Sequence, residues 1–126
     1  MQLQGIRVVD LTRILSGPFC TMFLADMGAE VIKIEDPDEG DPVRKQGEAP
    51  NGYSFYFASF NRNKRSITLD LRSSDGKDIL RKLLATADVV VNNYRPGIME
   101  KMGFGREALA QIKPCLLYTS DAADDS

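Results

Sequence analysis

Short runs of β-branched and apolar residues alternate along this chain with longer stretches in which apolar residues recur every three or four positions. The short runs predict five strands, at residues 7–11, 30–34, 66–69, 88–91 and 116–119. The stretches between them are long enough to form helices that connect neighbouring parallel strands. The alternation therefore predicts an α/β fold, in which a parallel sheet is covered by helices on both faces.

The helical stretches predict how each helix should meet this sheet. They cover residues 18–27, 53–60, 75–87, 96–102 and 106–112. In the first of them the apolar stripe expected to face the core consists of Phe19, Met22, Phe23 and Met27. The aromatic helix at 53–60 is expected to pack on the core, and Ser74 is expected to cap the helix that follows. Cys20 is interpreted as a packing residue rather than a nucleophile.

Ligands of an open parallel sheet bind in the crevice at the carboxyl ends of its strands. Four loops leave that edge here, at residues 12–17, 36–52, 70–74 and 92–97. They bring to one rim Arg13, Ser16, Arg72, Asn92, Asn93, Tyr94 and Arg95. A guanidinium group can pair with phosphate oxygens, and an aromatic ring can stack on a base. The rim therefore suits a phosphorylated small molecule that contains a nucleotide.

Some of these residues also have a plainer structural interpretation. Asparagine is common in turns, so Asn92 and Asn93 can have a purely structural role. Residues 61–65 are more typical of a solvated loop than of a phosphate clamp. The first loop lacks a G-x-G-x-x-G pattern, and the chain contains no Walker A sequence. A nicotinamide dinucleotide or a nucleoside triphosphate held by the usual glycine loop is therefore disfavoured.

Composition excludes several other classes of function. The chain has 126 residues and a formal charge of −2, which argues against nucleic-acid binding through bulk charge. No segment reaches the roughly 18 apolar residues that a membrane-spanning helix needs. Histidine is absent and the two cysteines, Cys20 and Cys115, lie far apart, so we expect no zinc site and no histidine-based triad. Two unpaired thiols fit a reducing cytoplasm.

The small net charge conceals two segments of opposite character. Residues 30–48 carry seven acidic and three basic side chains, whereas residues 61–82 carry seven basic and three acidic ones. The pattern predicts that the second segment can meet an anion and that the first would repel one.

Nearly all of residues 5–118 also resembles a known family. The resemblance rests on the segments GIRVVDL (5–11), SGP (16–18), LADMGAEVIKIE (24–35), GDPVR (40–44), NRNKRSITLDL (61–71), ADVVVNNYRPG (87–97) and MGFG (102–105). In this order they are similar to the N-terminal part of the class III CoA-transferases, the CaiB/BaiF family.

This resemblance implies an enzyme that moves coenzyme A from an acyl-CoA to a carboxylic acid, with the CoA thioester as substrate and no tightly bound cofactor. It also implies a Rossmann-like large domain in an interlocked homodimer, with residues 1–118 as a truncated part of that domain. The CoA-binding positions that it implies are Ile14, Leu15, Ser16, Leu69, Arg72, Asn93, Tyr94 and Lys101. The family often has a basic residue just after the second strand, where this chain has Asp36.

The nucleophile that the resemblance implies is an aspartate beyond residue 126, so no catalytic residue is assigned within this chain. Residues 119–126 form an acidic, alanine-rich tail, which we interpret as non-native sequence at the end of a fragment. Two alternatives stay open. One is an α-methylacyl-CoA racemase of the same family, and the other is a module that binds CoA or another nucleotide without chemistry.

Overall fold

A five-stranded parallel sheet forms the centre of the computed structural model, which describes residues 1–47 and 51–120. Its strands are β1 (Arg7–Asp10), β2 (Glu30–Glu35), β3 (Arg65–Thr68), β4 (Val89–Asn92) and β5 (Leu117–Ser120). They lie in the order β3-β2-β1-β4-β5, and each neighbouring pair is parallel. This arrangement confirms the predicted α/β fold and its parallel sheet.

The helices are short, and most of them connect one strand to the next. They are α1 (Ser16–Asp26), α2 (Phe55–Phe60), α3 (Ser74–Leu84), α4 (Ile98–Lys101) and α5 (Arg106–Ile112), with a 3₁₀ turn at Pro42–Lys45. All five predicted helices are present, although their ends differ from the prediction by up to a few residues. The central part of the long loop contains Glu48, Ala49 and Pro50, which lie outside the described residues.

Alternating side chains of the central strands fill two cores, one on each face of the sheet. On one face Val9 and Val90 pack with Leu80, Phe104 and Leu109 from α3, the segment after α4, and α5. On the other face Val8, Val31 and Val91 pack with Ala25 of α1 and with Ala29. The sheet is therefore covered on both sides, as the strand-helix alternation predicts.

The orientation of α1 differs from the prediction. Phe19, Phe23 and Met27 of the expected stripe are 43%, 49% and 45% exposed, and only Met22 is buried. The face that meets the sheet carries instead the small residues Gly17, Pro18, Thr21 and Ala25. Small side chains let the helix backbone approach the strands closely. Because this small-residue face packs on the sheet, the face with the larger apolar side chains is turned outward. Cys20 is exposed as well, so its assignment as a packing residue was wrong.

The aromatic segment around α2 is not part of the core, and the expectation that it would be is wrong. Tyr53, Phe55 and Tyr56 are more than half exposed, and α2 has no buried residue. The helix packs on α1 and on the 3₁₀ turn rather than on the sheet, with the Phe19 and Phe60 rings edge to face at 5.8 Å. The outer faces of α1 and α2 thus form one exposed aromatic surface.

The cap of α3 is Ser73, not Ser74. The Ser73 hydroxyl accepts a hydrogen bond from the Gly76 N–H at 3.0 Å and donates one to the Asp70 carbonyl at 2.8 Å. Ser73 has extended backbone angles, whereas Ser74 already belongs to the helix. The two adjacent serines are indistinguishable by type, so only the backbone conformation identifies the cap.

Among the described residues, no helix combines the length and the apolar character that crossing a membrane requires.

Replacing Gly76 with alanine should destabilise the fold, because the new methyl carbon would lie 2.0 Å from the carbonyl oxygen of Asp70. Backbone must move to relieve that clash, and we expect a loss of about 1–3 kcal/mol in the free energy of unfolding, measured by urea titration. Gly105→Ala is the matched control, since its methyl carbon would come closest to the flexible Glu100 side chain, at 3.0 Å, and would meet backbone only at the ordinary contact distance of 3.6 Å. Equal stability of the two variants would show that the Asp70 carbonyl does not exclude a side chain at position 76.

Candidate functional site

A cleft of about 260 Å³ opens at the carboxyl edge of the sheet. The loops after β1, β2, β3 and β4 all contribute to it, together with Met102 at the end of α4. Its wall is made of Thr12, Arg13, Ile34, Glu35, Asp36, Glu39, Gly40, Asp41, Pro42, Leu69, Leu71, Arg72, Tyr94 and Met102. The edge at which the sequence predicts a ligand thus contains a cavity, somewhat smaller than the roughly 300–1,000 Å³ of typical small-molecule sites.

The lining combines apolar side chains with charged ones. Ile34, Leu69, Leu71 and Met102 provide aliphatic and thioether surface. Tyr94 adds an aromatic ring, and burial raises the pKa of its hydroxyl despite the opposing effect of Arg13. Such a surface can pack against a flat heterocycle, while cations at its rim can meet attached anionic groups.

A buried ion pair joins β2 to two of the loops around this cleft. Lys33 Nζ lies 2.8 Å from Asp41 Oδ2, and each side chain is only 1% exposed. The ammonium group also donates to the Thr12 carbonyl at 3.0 Å. The Asp41 carboxylate accepts hydrogen bonds from the N–H groups of Ile14 and Val43, both at 3.0 Å. One pair of charges therefore holds the loops after β1 and after β2 in fixed positions.

A second buried pair lies beneath the start of α1. Lys64 Nζ is 3.0 Å from Asp10 Oδ2 and also donates to the Pro18 carbonyl at 3.0 Å. Burial lowers the pKa of Lys64, although the neighbouring Asp10 carboxylate opposes this shift. Asp10 is satisfied further by the Thr21 hydroxyl at 2.7 Å and by the N–H of Thr12 at 2.9 Å.

Glu35, the last residue of β2, is held by Arg44. The guanidinium group binds both carboxylate oxygens, with distances of 2.8 and 2.9 Å, and lies over the Phe57 ring at 3.6 Å. Burial alone would raise the pKa of Glu35. Hydrogen bonds from Arg44, from the Ser66 hydroxyl and from the Asp41 N–H outweigh this effect and lower the pKa from 4.5 to about 2.

Three of the sequence-predicted binding residues line the cleft, namely Leu69, Arg72 and Tyr94. The Arg72 guanidinium is surrounded by carboxylates, at 2.9 Å from Asp70, 3.5 Å from Asp38 and 3.8 Å from Asp36. The hydrogen bond from Arg72 lowers the pKa of Asp70, and Asp70 in turn raises that of Arg72. The charge of Arg72 is thus balanced by acidic side chains on the same rim.

Asn93 borders the cleft and positions another residue. Its side-chain amide accepts from the Arg13 N–H at 3.0 Å and donates to the Arg13 carbonyl at 2.8 Å. It therefore holds the loop after β1.

Four other predicted residues lie outside the wall of the cavity. Ile14, Leu15 and Ser16 are exposed where the first loop enters α1, and Ile14 has a positive φ of 75°. Lys101 is exposed at the end of α4, next to the Met102 that does line the cavity.

Eleven of the fourteen lining residues were absent from the binding positions that the family resemblance implies, and Arg13 and Met102 are two of them. Arg13 was nevertheless predicted at the rim, because its loop follows β1. No periodic pattern could identify Met102, since it follows a one-turn helix and only the fold brings it to the cleft.

The buried carboxylates at this edge are all engaged by cations and hydrogen-bond donors. Asp10 is paired with Lys64, Glu35 with Arg44, and Asp41 with Lys33. A carboxylate that attacks a substrate needs an oxygen directed into the site. These three side chains instead stabilise loops. The described residues also contain no cluster of three or more possible metal ligands of the His, Cys, Asp or Glu type.

Comparison with known proteins identifies relatives of this chain. The model of CoA-transferase family III matches residues 3–123. A formyl-CoA:oxalate CoA-transferase from Afipia carboxidovorans is 46% identical over 119 residues, covering 94% of this chain and 28% of that protein. A succinyl-CoA:glutarate CoA-transferase from Mus musculus is 48% identical over 119 residues, with 94% and 27% covered.

The same likeness extends to a solved structure. A CaiB/BaiF family protein from Brucella suis superposes with a TM-score of 0.86 at 44% identity, over 93% of this chain and 32% of that one. The chain spans somewhat more than a quarter of the length of the curated relatives it matches.

The Glu35 interactions should make stability depend on pH in acid. Because the pKa falls from 4.5 to about 2 on folding, the contribution is complete above pH 4.5 and is lost as pH falls towards 2. In Glu35→Gln this contribution is missing at every pH. The difference in unfolding free energy between wild type and variant should therefore shrink by about 3 kcal/mol over that interval. Glu107→Gln, at an exposed carboxylate, should keep the wild-type pH dependence, and a constant wild-type difference for Glu35→Gln would contradict the assignment.

Removing the cation of the buried pair should cost far more than removing an exposed one. Lys33→Met leaves Asp41 buried beside an apolar group, and we expect a loss of about 3–5 kcal/mol in denaturant unfolding. Lys45→Met, which removes an exposed partner 3.8 Å from Glu39, should leave stability nearly unchanged. In Lys33→Met/Asp41→Asn the unpaired charge is gone, so part of the loss should be recovered. No recovery in the double variant would mean that packing, rather than charge, is responsible.

Proposed function

Since the chain belongs to CoA-transferase family III, the CaiB/BaiF family, we propose that the intact protein transfers coenzyme A from an acyl-CoA to a carboxylic acid. The observation that carries the proposal is the match over residues 3–123, which includes all four loops of the cleft. The proposal concerns the intact protein, because the chain corresponds to 27–28% of the length of CoA-transferases such as those from Afipia and mouse.

We assign residues 1–118 to the N-terminal part of the large domain. We propose that the tail from residue 119 is non-native, although the family match extends to residue 123 and β5 includes Thr119 and Ser120. Residues 121–126 lie outside the described residues. The proposed assembly of the intact protein is an interlocked homodimer, and the proposed compartment is the cytoplasm, which suits two free and exposed cysteines.

The cleft supports binding of the nucleotide end of the substrate. Its apolar wall, with Leu69 and Tyr94, suits a purine ring, and Arg72 at its rim offers a guanidinium group. Its volume of about 260 Å³ accommodates part of a CoA molecule, so the pantetheine arm would extend past the loop after β1. We propose that the arm passes Ile14, Leu15 and Ser16, and that Asn93 and Lys101 contribute to CoA binding from outside the cavity wall.

The proposed chemistry is a sequence of carbonyl exchanges on an aspartate outside this chain. The aspartate attacks the acyl-CoA carbonyl, the C–S bond breaks, and a mixed anhydride and CoA thiolate result. The thiolate attacks the aspartyl carbonyl, releasing the donor acid and leaving an aspartyl-CoA thioester. The acceptor carboxylate displaces the thiolate to form a second anhydride, and the thiolate then attacks the acceptor carbonyl. This last step frees the aspartate and the new acyl-CoA. The part played by the present chain is to hold the CoA moiety throughout.

The test is an exchange assay on the intact protein, with formyl-CoA plus oxalate and succinyl-CoA plus glutarate as probe pairs. We expect a new CoA thioester of the acceptor acid to form, with ¹⁸O from the acceptor carboxylate appearing in the released donor acid. Exchange of the α-proton of a 2-methylacyl-CoA without any transfer would favour the racemase instead. Saturable CoA binding with neither reaction would favour a non-catalytic module, and no CoA binding would overturn the proposal.

A further inference from the structure

We propose that Arg13 contacts a phosphate group of coenzyme A and supplies the uncompensated positive charge of the cleft. This inference rests on the proposed function and adds a residue that the family resemblance does not assign. It follows from the distribution of charge around the cavity, which is strongly uneven.

The side of the cleft formed by the loops after β2 and β3 is negatively charged. Arg72 is the cation of these loops that lines the cavity, and Asp36, Asp38 and Asp70 lie within 3.8 Å of its guanidinium group. Three carboxylates against one cation leave an excess of negative charge on this side. A phosphate placed there would meet repulsion as well as attraction, and it would have to compete with Asp70 for Arg72.

The opposite side of the cleft carries Arg13. Its guanidinium carbon lies 5.3 Å from the centroid of the Tyr94 ring, and within residues 1–47 and 51–120 it forms no ion pair with a carboxylate. The side chain is exposed and lines the cavity. Its positive charge is therefore available to an incoming anion beside the aromatic surface on which a base can stack.

The backbone of Arg13 is held more firmly than that of an ordinary surface loop. Asn93 binds both its N–H and its carbonyl, and Asp41 binds the N–H of the next residue, Ile14. Asp41 is fixed in turn by the buried Lys33. Fixing the backbone on both sides lowers the conformational entropy that the side chain must lose when it binds an anion.

The topology of the sheet puts Arg13 at the position where ligands of such folds collect. The chain proceeds from β1 to β2 and β3 on one side and then returns to β4 and β5 on the other, so the order reverses between β1 and β4. In open α/β sheets the ligand crevice lies at this reversal. Arg13 follows β1, and Tyr94 follows β4.

The experiment measures CoA binding to the intact protein by calorimetry, in wild type and in Arg13→Gln. We expect the variant to bind CoA at least about 10-fold more weakly, as for loss of a charge-assisted hydrogen bond. Arg13→Lys, which keeps the charge, should recover part of this loss. Arg72→Gln should lose less than Arg13→Gln. Arg106→Gln, an equal change of charge on α5 away from the cleft, should bind like wild type.

Two further measurements identify the phosphate and the kind of contact. A loss seen with CoA but not with dephospho-CoA identifies the 3′-phosphate, whereas equal losses identify the diphosphate. Added salt should weaken CoA binding by wild type more than by Arg13→Gln, because the charge interaction is screened. Unchanged affinity of Arg13→Gln, or a loss without any change in salt dependence, would overturn the proposal. Absence of CoA binding by wild type would instead overturn the proposed function.

Discussion

The geometry of the cleft depends on two lysine side chains buried beneath it. An ammonium group removed from water costs several kcal/mol unless charged and polar partners replace the lost hydration. Lys33 and Lys64 find these partners in Asp41 and Asp10 and in backbone carbonyls of the first loop and of α1. The loop after β1, the loop after β2 and the start of α1 are thus each tied to the sheet by a buried ion pair that is costly to break.

These pairs specify a conformation more than they add stability. Replacing a buried ion pair by apolar residues of similar volume is often neutral, whereas removing one partner is strongly destabilising. The Lys33–Asp41 pair therefore acts by destabilising other conformations of the two loops, since any movement of these loops leaves a charge buried without its partner. A fixed loop conformation keeps Arg13 and Tyr94, which are far apart in the sequence, in place along the wall of one cavity.

The sequence predicted the strands and their common edge because both follow from short-range signals. Runs such as VVD in β1 and VVVN in β4 are distinctive, and a parallel sheet brings their carboxyl ends together whatever the loops contain. The orientation of α1 could not be predicted in this way. Both faces of that helix are apolar, so periodicity favoured the larger side chains, Phe19 and Phe23, whereas close packing on the sheet selects Thr21 and Ala25.

The distribution of charge shows the same limit of prediction from short-range sequence patterns. Counted along the sequence, the acidic and basic segments looked like separate surfaces, one repelling anions and one attracting them. In the fold the basic segment is partly neutralised, because Arg72 meets Asp36 and Asp38 of the acidic segment, and Lys64 is buried against Asp10, 54 residues away. Arg13, for which we propose a phosphate contact, belongs to neither segment, since it precedes both. Local charge density along the sequence therefore does not by itself identify an anion site, because only the tertiary structure shows which cations are already paired.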